Sequence, residues 1–260
     1  MRSLLSGLTP ADIRREPFPH IVARAPMAPE TYAALSESFP PLSLIAWSGA
    51  QDRLRSNRRY ELSAQAILDT PDLPDCWKEF VATHSAPALV DQVAELFQGF
   101  WPEPLLQQVG GDLRGHVTSR LVRWSDRQRP IRQDARIEVN TPVLGSASSS
   151  RGAHLDTPNR LFSGLFYMRH PDDDSIGGDL QLFRWTADTP IPTDRYELPA
   201  DSVEVAATIP YAANQLVLFP QNIRAIHGVS PRHPTPHVRR YVFITAELAQ
   251  DWLVPARLHD

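Results

Sequence analysis

Cysteine is almost absent: Cys76 stands alone among 260 residues. One thiol forms no intrachain disulfide and supplies no cysteine-based zinc site, so a reducing, cytoplasmic setting is expected. Long apolar runs are missing too. No stretch approaches the ~20 residues that cross a bilayer. The opening MRSLLSGLTPADIRR breaks at Thr9-Pro10 before its apolar patch reaches the length of a signal-peptide core. Positive charge is not in excess. A formal net charge of −4 and a pI near 6.1 give no electrostatic footprint for general nucleic-acid binding. Internal repeats and low-complexity tracts are likewise lacking. The expected partner is therefore a small molecule, with neither nucleic acid nor membrane; composition does not reveal an oligomeric state.

Proline is what the chain has in plenty, 25 residues in all against a typical share of roughly 5%. Proline ends helices and avoids central strands, which predicts many short elements with long connections. Hydrophobic and charged contents of 42% and 22% are those of an ordinary folded protein. The length suits one domain over residues 1–260.

Up to about residue 105 the pattern is mainly helical. Pro29-Glu30 opens a helix carrying Tyr32, Leu35 and Phe39 and closed by Pro40-Pro41. A second begins near Asp75 with Trp77, Phe80 and Val81. A third, over 87–100, sets Leu89, Val90, Val93, Leu96 and Phe97 on one stripe that reads as core. Beyond Pro104 the pattern changes to short β-forming runs at 121–124, 136–143, 161–168, 180–185, 203–206, 215–219 and 241–245. Strands in series without intervening helices predict a jelly roll over 106–246, mainly β with the helices of 1–105 as an N-terminal layer. A short helix over 246–253 and a tail complete the expected chain.

Within RGAHLDTP, His154 and Asp156 are two residues apart, so on a strand both side chains face the same way. The pair gains weight from His227 in QLVLFPQNIRAIHGVSP, which follows a strand and a proline break. Two imidazoles and one carboxylate on one side of an ion leave neighbouring positions open. That is the ligand set of non-haem Fe(II) sites, and it is too small for a closed structural site. RRYVF opens another strand, and a guanidinium there offers a permanently charged fork for a carboxylate. One of Arg239 and Arg240 fits that task. The expectation is Arg240, with Arg239 on the opposite face.

HLD at 154–156, FYMR at 166–169, GGDL at 177–180, HGVSP at 227–231 and RRYVF at 239–243 together resemble, in order, the landmarks of the Fe(II)/2-oxoglutarate-dependent dioxygenase superfamily, and its prolyl-4-hydroxylase-like branch most closely. The resemblance spans about residues 135–246. It implies a double-stranded β-helix, with Fe(II) on His154, Asp156 and His227 and 2-oxoglutarate anchored by Arg240. Tyr167 matches a tyrosine that hydrogen-bonds the same carboxylate. The implied reaction uses O₂ and converts 2-oxoglutarate to succinate and CO₂ while hydroxylating a C–H bond of the substrate. Because Asp156 is present, hydroxylation is favoured over halogenation, whose practitioners lack the carboxylate ligand.

Tyr167 also suits a core strand, and Asn140 suits either a turn or contact with the co-substrate or substrate. Gly177-Gly178 reads as a tight turn. The arginine-dense stretch 120–136 reads as a solvated loop or as an entrance for an anionic substrate, and Arg53, Arg55, Arg58 and Arg59 read as solvated. The leading function is hydroxylation of a small polar metabolite. Alternatives are a prolyl-type protein hydroxylase, a non-catalytic jelly-roll binding module, and a cupin-like metalloenzyme that uses no keto acid.

Overall fold

The computed structural model describes residues 1–46, 55–121, 130–187 and 197–253. Six helices, α1 (Pro29–Glu37), α2 (Leu42–Ile45), α3 (Ala64–Asp69), α4 (Asp75–His84), α5 (Pro87–Leu96) and α6 (Glu103–Gln108), occupy the first part of the described chain. Pro29 and Pro87 stand at the first position of their helices, where a missing N–H costs nothing. The stripe on α5 is core, as its spacing predicts: Leu89, Val90, Val93 and Leu96 are all buried.

Among the described residues ten strands build two sheets. The larger contains β1 (Ile21–Arg24), β2 (Arg59–Leu62), β3 (Thr118–Arg120), β4 (Ile131–Asn140), β5 (Arg160–Tyr167), β8 (Gln215–Pro220) and β10 (Arg239–Leu248), in the order β1-β8-β5-β10-β4-β2 with β3 beside β4. The smaller is β7 (Val203–Ile209), β6 (Leu180–Trp185) and β9 (His227–Val229), in the order β7-β6-β9. From β5 onward the chain passes from the large sheet to the small one and back twice. The expected double-stranded β-helix is therefore the observed fold.

Strand parity separates two cores. On β10, Val242, Ile244 and Ala246 join Phe162 and Phe166 of β5 and Leu216 and Leu218 of β8 against the helices. Tyr241 and Phe243 turn the other way, to meet Leu165, Tyr167, Val217, Phe219 and, from the small sheet, Leu180, Leu182 and Ile209. Each large apolar side chain so buried contributes about 1.5–3 kcal/mol, and the central strands gain it on both faces.

Three sequence expectations need correction. The N-terminal part is not only helical: β1 pairs with β8 and β2 with β4, extending both edges of the large sheet. No helix forms over 246–253. β10 instead runs on to Leu248, paired with Ile131, and 249–253 is irregular. β4 spans Ile131–Asn140 instead of 136–143, and it ends early because Pro142 follows Thr141 and a central strand cannot use a residue without an N–H. The strand expected over 121–124 falls largely on residues outside the described ones. No helix among the described residues is long and apolar enough to cross a membrane.

Candidate metal centre

His154 and His227 face each other across an antiparallel bridge that adds the chain around His154 to the small sheet beside β9. The two residues exchange both backbone hydrogen bonds, at 2.9 and 3.0 Å. A cross-strand pair of this kind puts side chains on one face, and the ring centroids lie 4.3 Å apart. Gly228 makes the close approach possible. A Cβ there would lie 2.7 Å from the Gly152 carbonyl oxygen, an overlap with backbone.

The HLD triplet alternates as a strand should. Leu155 packs outward with Phe183, Trp185 and Ile226, while Asp156 returns to the side of His154. Asp156 Oδ1 is 3.9 Å from His154 Nε2, and Oδ2 is 3.7 Å from His227 Nε2. One ligand atom from each of the three residues lies within 4.8 Å of the others. Both imidazoles are oriented from behind: His154 Nδ1 sits 2.9 Å from the Gly152 carbonyl and His227 Nδ1 3.0 Å from that of Ala225. A carbonyl only accepts, so each Nδ1 carries the proton and each Nε2 presents a lone pair to the centre.

Electrostatics put His154 and Asp156 in ligand form. Burial, reinforced by the neighbouring His227, holds His154 well below the usual imidazole pKa, so it is neutral. Burial alone would raise the Asp156 pKa, but His227, the Arg160 guanidinium, His154 and the Ser163 hydroxyl outweigh it and keep the carboxyl ionised. Ser163 Oγ donates to Asp156 Oδ2 at 2.5 Å. A neutral imidazole and an ionised carboxylate bind a divalent cation with no proton to expel.

The triad opens into a cavity of about 540 Å³, mouth included, between the two sheets. Tyr167, Leu180, Arg239 and Tyr241 line it together with the triad, as do Arg59, Glu138, Ser150 and Arg151. Arg239 is buried, its Nε donating to the Gly178 carbonyl at 2.9 Å and Nη1 to Asn140 Oδ1 at 3.4 Å. The rings of Tyr167, Tyr211 and Tyr241 surround the guanidinium at 5.0, 4.9 and 4.8 Å. Burial works against its charge, but the tyrosines prevail and its pKa is raised. Among the described residues no carboxylate pairs with it.

Arg240, the expected anchor, is on the wrong face. Its guanidinium lies over the Phe39 ring at 4.8 Å, among the helices, because it shares strand parity with Val242 and Ile244. The inward arginine is Arg239. Tyr167 lies on the expected side: it is fully buried and lines the cavity, its hydroxyl beside the Arg239 guanidinium and without a hydrogen bond of good geometry among the described residues. Asn140 is buried but meets the cavity only through Arg239, with its Nδ2 unpartnered. Sequence reasoning missed Arg59, Glu138 and Arg151 as cavity residues. The alternation in Arg136-Ile137-Glu138-Val139-Asn140 is the signal that could have found Glu138, whose face looks inward instead of to solvent.

No protein-family model matches the chain, and no curated protein matches it. Solved structures do. A prolyl-4-hydroxylase of Pseudomonas putida is similar at 13% identity and a TM-score of 0.44, over 88% of this chain and 92% of that one. The prolyl hydroxylase of Trichoplax adhaerens, in complex with a hypoxia inducible factor peptide fragment, is similar at 12% identity and a TM-score of 0.44, over 88% and 83%. The non-haem α-ketoglutarate-dependent epimerase SnoN of nogalamycin biosynthesis is similar at 10% identity and a TM-score of 0.46, over 88% and 76%. Likenesses this distant carry no chemistry across. The function proposed below stands on the residues of this chain.

Proposed function

We propose that the chain is a non-haem Fe(II)- and 2-oxoglutarate-dependent oxygenase that hydroxylates an unactivated C–H bond of a small polar metabolite. One observation carries this reading. A fully buried guanidinium without a carboxylate partner among the described residues shares a cavity with three convergent ligand atoms. A buried unpaired cation is costly, by several kcal/mol, and a dianion that also chelates the metal removes that cost. A cupin-like metalloenzyme without a keto acid leaves Arg239 with no task.

His154, Asp156 and His227 hold the metal, and three protein ligands leave positions for a chelating keto acid and O₂. Arg239 receives the far carboxylate of 2-oxoglutarate, and the Tyr167 hydroxyl beside it donates to the same group. Asn140 steadies Arg239 from behind. Iron, 2-oxoglutarate and O₂ bound together supply the oxidation, in which one oxygen atom enters the substrate as hydroxyl and the other enters succinate as CO₂ leaves. The chain fixes the metal's imidazoles through Gly152 and Ala225, fixes Asp156 through Ser163, and excludes water with Leu165, Leu180, Val229 and Phe243. With Asp156 in place no position is freed for a halide, which favours hydroxylation.

A single oxygenase domain belongs to the same proposal, supported by the N-terminal strands β1 and β2 joining the large sheet. So does a cytoplasmic location, supported by the lone Cys76. The test is succinate release from 2-oxoglutarate by purified protein offered a pool of small metabolites. Release that needs Fe(II) and O₂ and vanishes in Asp156→Ala is expected. Protein that binds neither Fe(II) nor 2-oxoglutarate refutes the reading.

A further inference from the structure

Beyond the triad and Arg239, the cavity wall carries charge that the proposed chemistry leaves unused. Its lining holds three guanidiniums, of Arg59, Arg151 and Arg239, against two carboxylates, of Glu138 and Asp156. Both carboxyls are ionised. Burial would raise the pKa of Glu138, but Arg136 and Arg59 hold it down, and Asp156, as a metal ligand, is a carboxylate. The wall therefore keeps one positive charge in excess. Adding a divalent metal and dianionic 2-oxoglutarate changes nothing in that balance, since two positive and two negative charges enter together.

The excess can be placed on particular residues. Glu138 is saturated: it accepts from Arg136 Nε at 2.7 Å and from the Tyr241 hydroxyl at 2.5 Å, and Arg59 Nη1 lies 3.7 Å away. Arg59 is thus partly neutralised, and its side chain is 46% exposed. Arg151 is not neutralised. No hydrogen bond or ion pair reaches its guanidinium among the described residues, and its Nε is buried without a partner. Its backbone is held in place, with the carbonyl accepting from Val229 N at 2.9 Å and from Ser149 Oγ at 2.9 Å. Arg151 also stands three residues before His154 and lines the same cavity as the triad. A fixed backbone, a half-buried guanidinium and an unanswered donor beside the metal centre describe an oxyanion-binding position.

Resting on the oxygenase reading above, we infer that the substrate is a small molecule bearing a carboxylate or phosphate, and that Arg151 binds this oxyanion while Arg59 supports it from the cavity mouth. The substrate's anion and the far carboxylate of 2-oxoglutarate then go to different arginines of the one cavity. Arg151 is then a specificity-determining residue: it selects for charge and fixes which substrate carbon faces the metal.

The experiment is calorimetric titration of Fe(II)-loaded protein, kept free of O₂ and saturated with 2-oxoglutarate, by acetate, inorganic phosphate and neutral acetamide. Acetate or phosphate is expected to bind and acetamide is not; the better of the two anions identifies the acid group. Arg151→Gln weakens that binding roughly 10- to 100-fold, the worth of a charge-assisted hydrogen bond, and Arg151→Lys recovers part of it. The 2-oxoglutarate affinity of Arg151→Gln falls far less than that of Arg239→Gln, which shows that the variant is folded and the two arginines serve different anions. Equal binding of the anion by wild type and Arg151→Gln overturns the inference. So does acetamide binding as well as acetate, or no binding of either anion. Wild-type protein that takes up no 2-oxoglutarate overturns the parent reading instead, a result visible before any anion is added.

Discussion

Replacing Arg239 by glutamine removes the buried cation proposed to receive 2-oxoglutarate and leaves the cation on Arg240 untouched. The loss follows from where Arg239 sits. It is 2% exposed, Nε is committed to the Gly178 carbonyl, and Nη1 has only a long contact with Asn140. The remaining donors are what a carboxylate can use. Removing one partner of a buried ion pair costs about 3–5 kcal/mol, roughly two to nearly four orders of magnitude in Kd. Glutamine can return one neutral hydrogen bond, so the expected loss is at the lower end, about a hundredfold. Arg239→Lys keeps the charge but loses the fork and the stacking on three tyrosines, and falls between. Arg240→Gln changes 2-oxoglutarate affinity by less than about threefold, since it gives up a contact with Phe39 worth about 0.5–1 kcal/mol on the helical face. The assay is calorimetric titration of metal-loaded protein without O₂. If Arg240→Gln weakens binding as much as Arg239→Gln, Arg239 is not the arginine that faces 2-oxoglutarate.

Ser163→Ala removes the hydroxyl that holds Asp156 Oδ2. Fe(II) affinity should drop about 10- to 100-fold in a metal titration, and an unchanged affinity would show that Asp156 needs no such support. Gly228→Ala forces a Cβ to 2.7 Å from the Gly152 carbonyl oxygen. An overpacking cost of about 1–3 kcal/mol should appear as a lower thermal midpoint together with weaker metal binding; a normal midpoint contradicts the close approach. His84 gives a pH dependence. Its Nε2 accepts from Leu4 N at 3.0 Å and its Nδ1 donates to the Phe80 carbonyl at 2.7 Å, and burial pushes its pKa down to about 4. The unfolded chain, with an ordinary value near 6.5, takes up the proton first. The stabilisation of up to roughly 3 kcal/mol is therefore present above pH 6.5 and lost as pH falls towards 4. Urea unfolding at several pH values should show this slope, and His84→Gln should flatten it.

The strands of the jelly roll were legible because proline and turn residues punctuate runs of β-formers; the run at 180–185 coincides with β6. The ligand triad was legible for a related reason. Period-two geometry makes His154 and Asp156 share a face whatever the rest of the fold does, and Leu155 packing outward fits this. The arginine was a different problem. β10 is buried on both faces, by helices on one and the second sheet on the other. Its sequence is therefore nearly continuous in apolar residues, and no polar alternation fixes which parity points inward. Arg59 and Glu138 were missed for the opposite reason, and Arg151 because it lies outside any strand. Polar residues that alternate with apolar ones normally mark the solvent face, whereas here they line a cavity. β1 and β2 were illegible because each has four residues and takes its stability from pairing with β8 and β4 rather than from its own pattern.

The central claim is that His154, Asp156 and His227 hold one metal ion on which 2-oxoglutarate sits. The direct measurement is an O₂-free titration of 2-oxoglutarate onto wild-type protein with and without Fe(II), repeated on His227→Ala. Wild type should bind one Fe(II) per chain and bind 2-oxoglutarate far more tightly with the metal than without it, and His227→Ala should lose both properties. Binding of 2-oxoglutarate that is indifferent to Fe(II), or full Fe(II) binding by His227→Ala, contradicts the account.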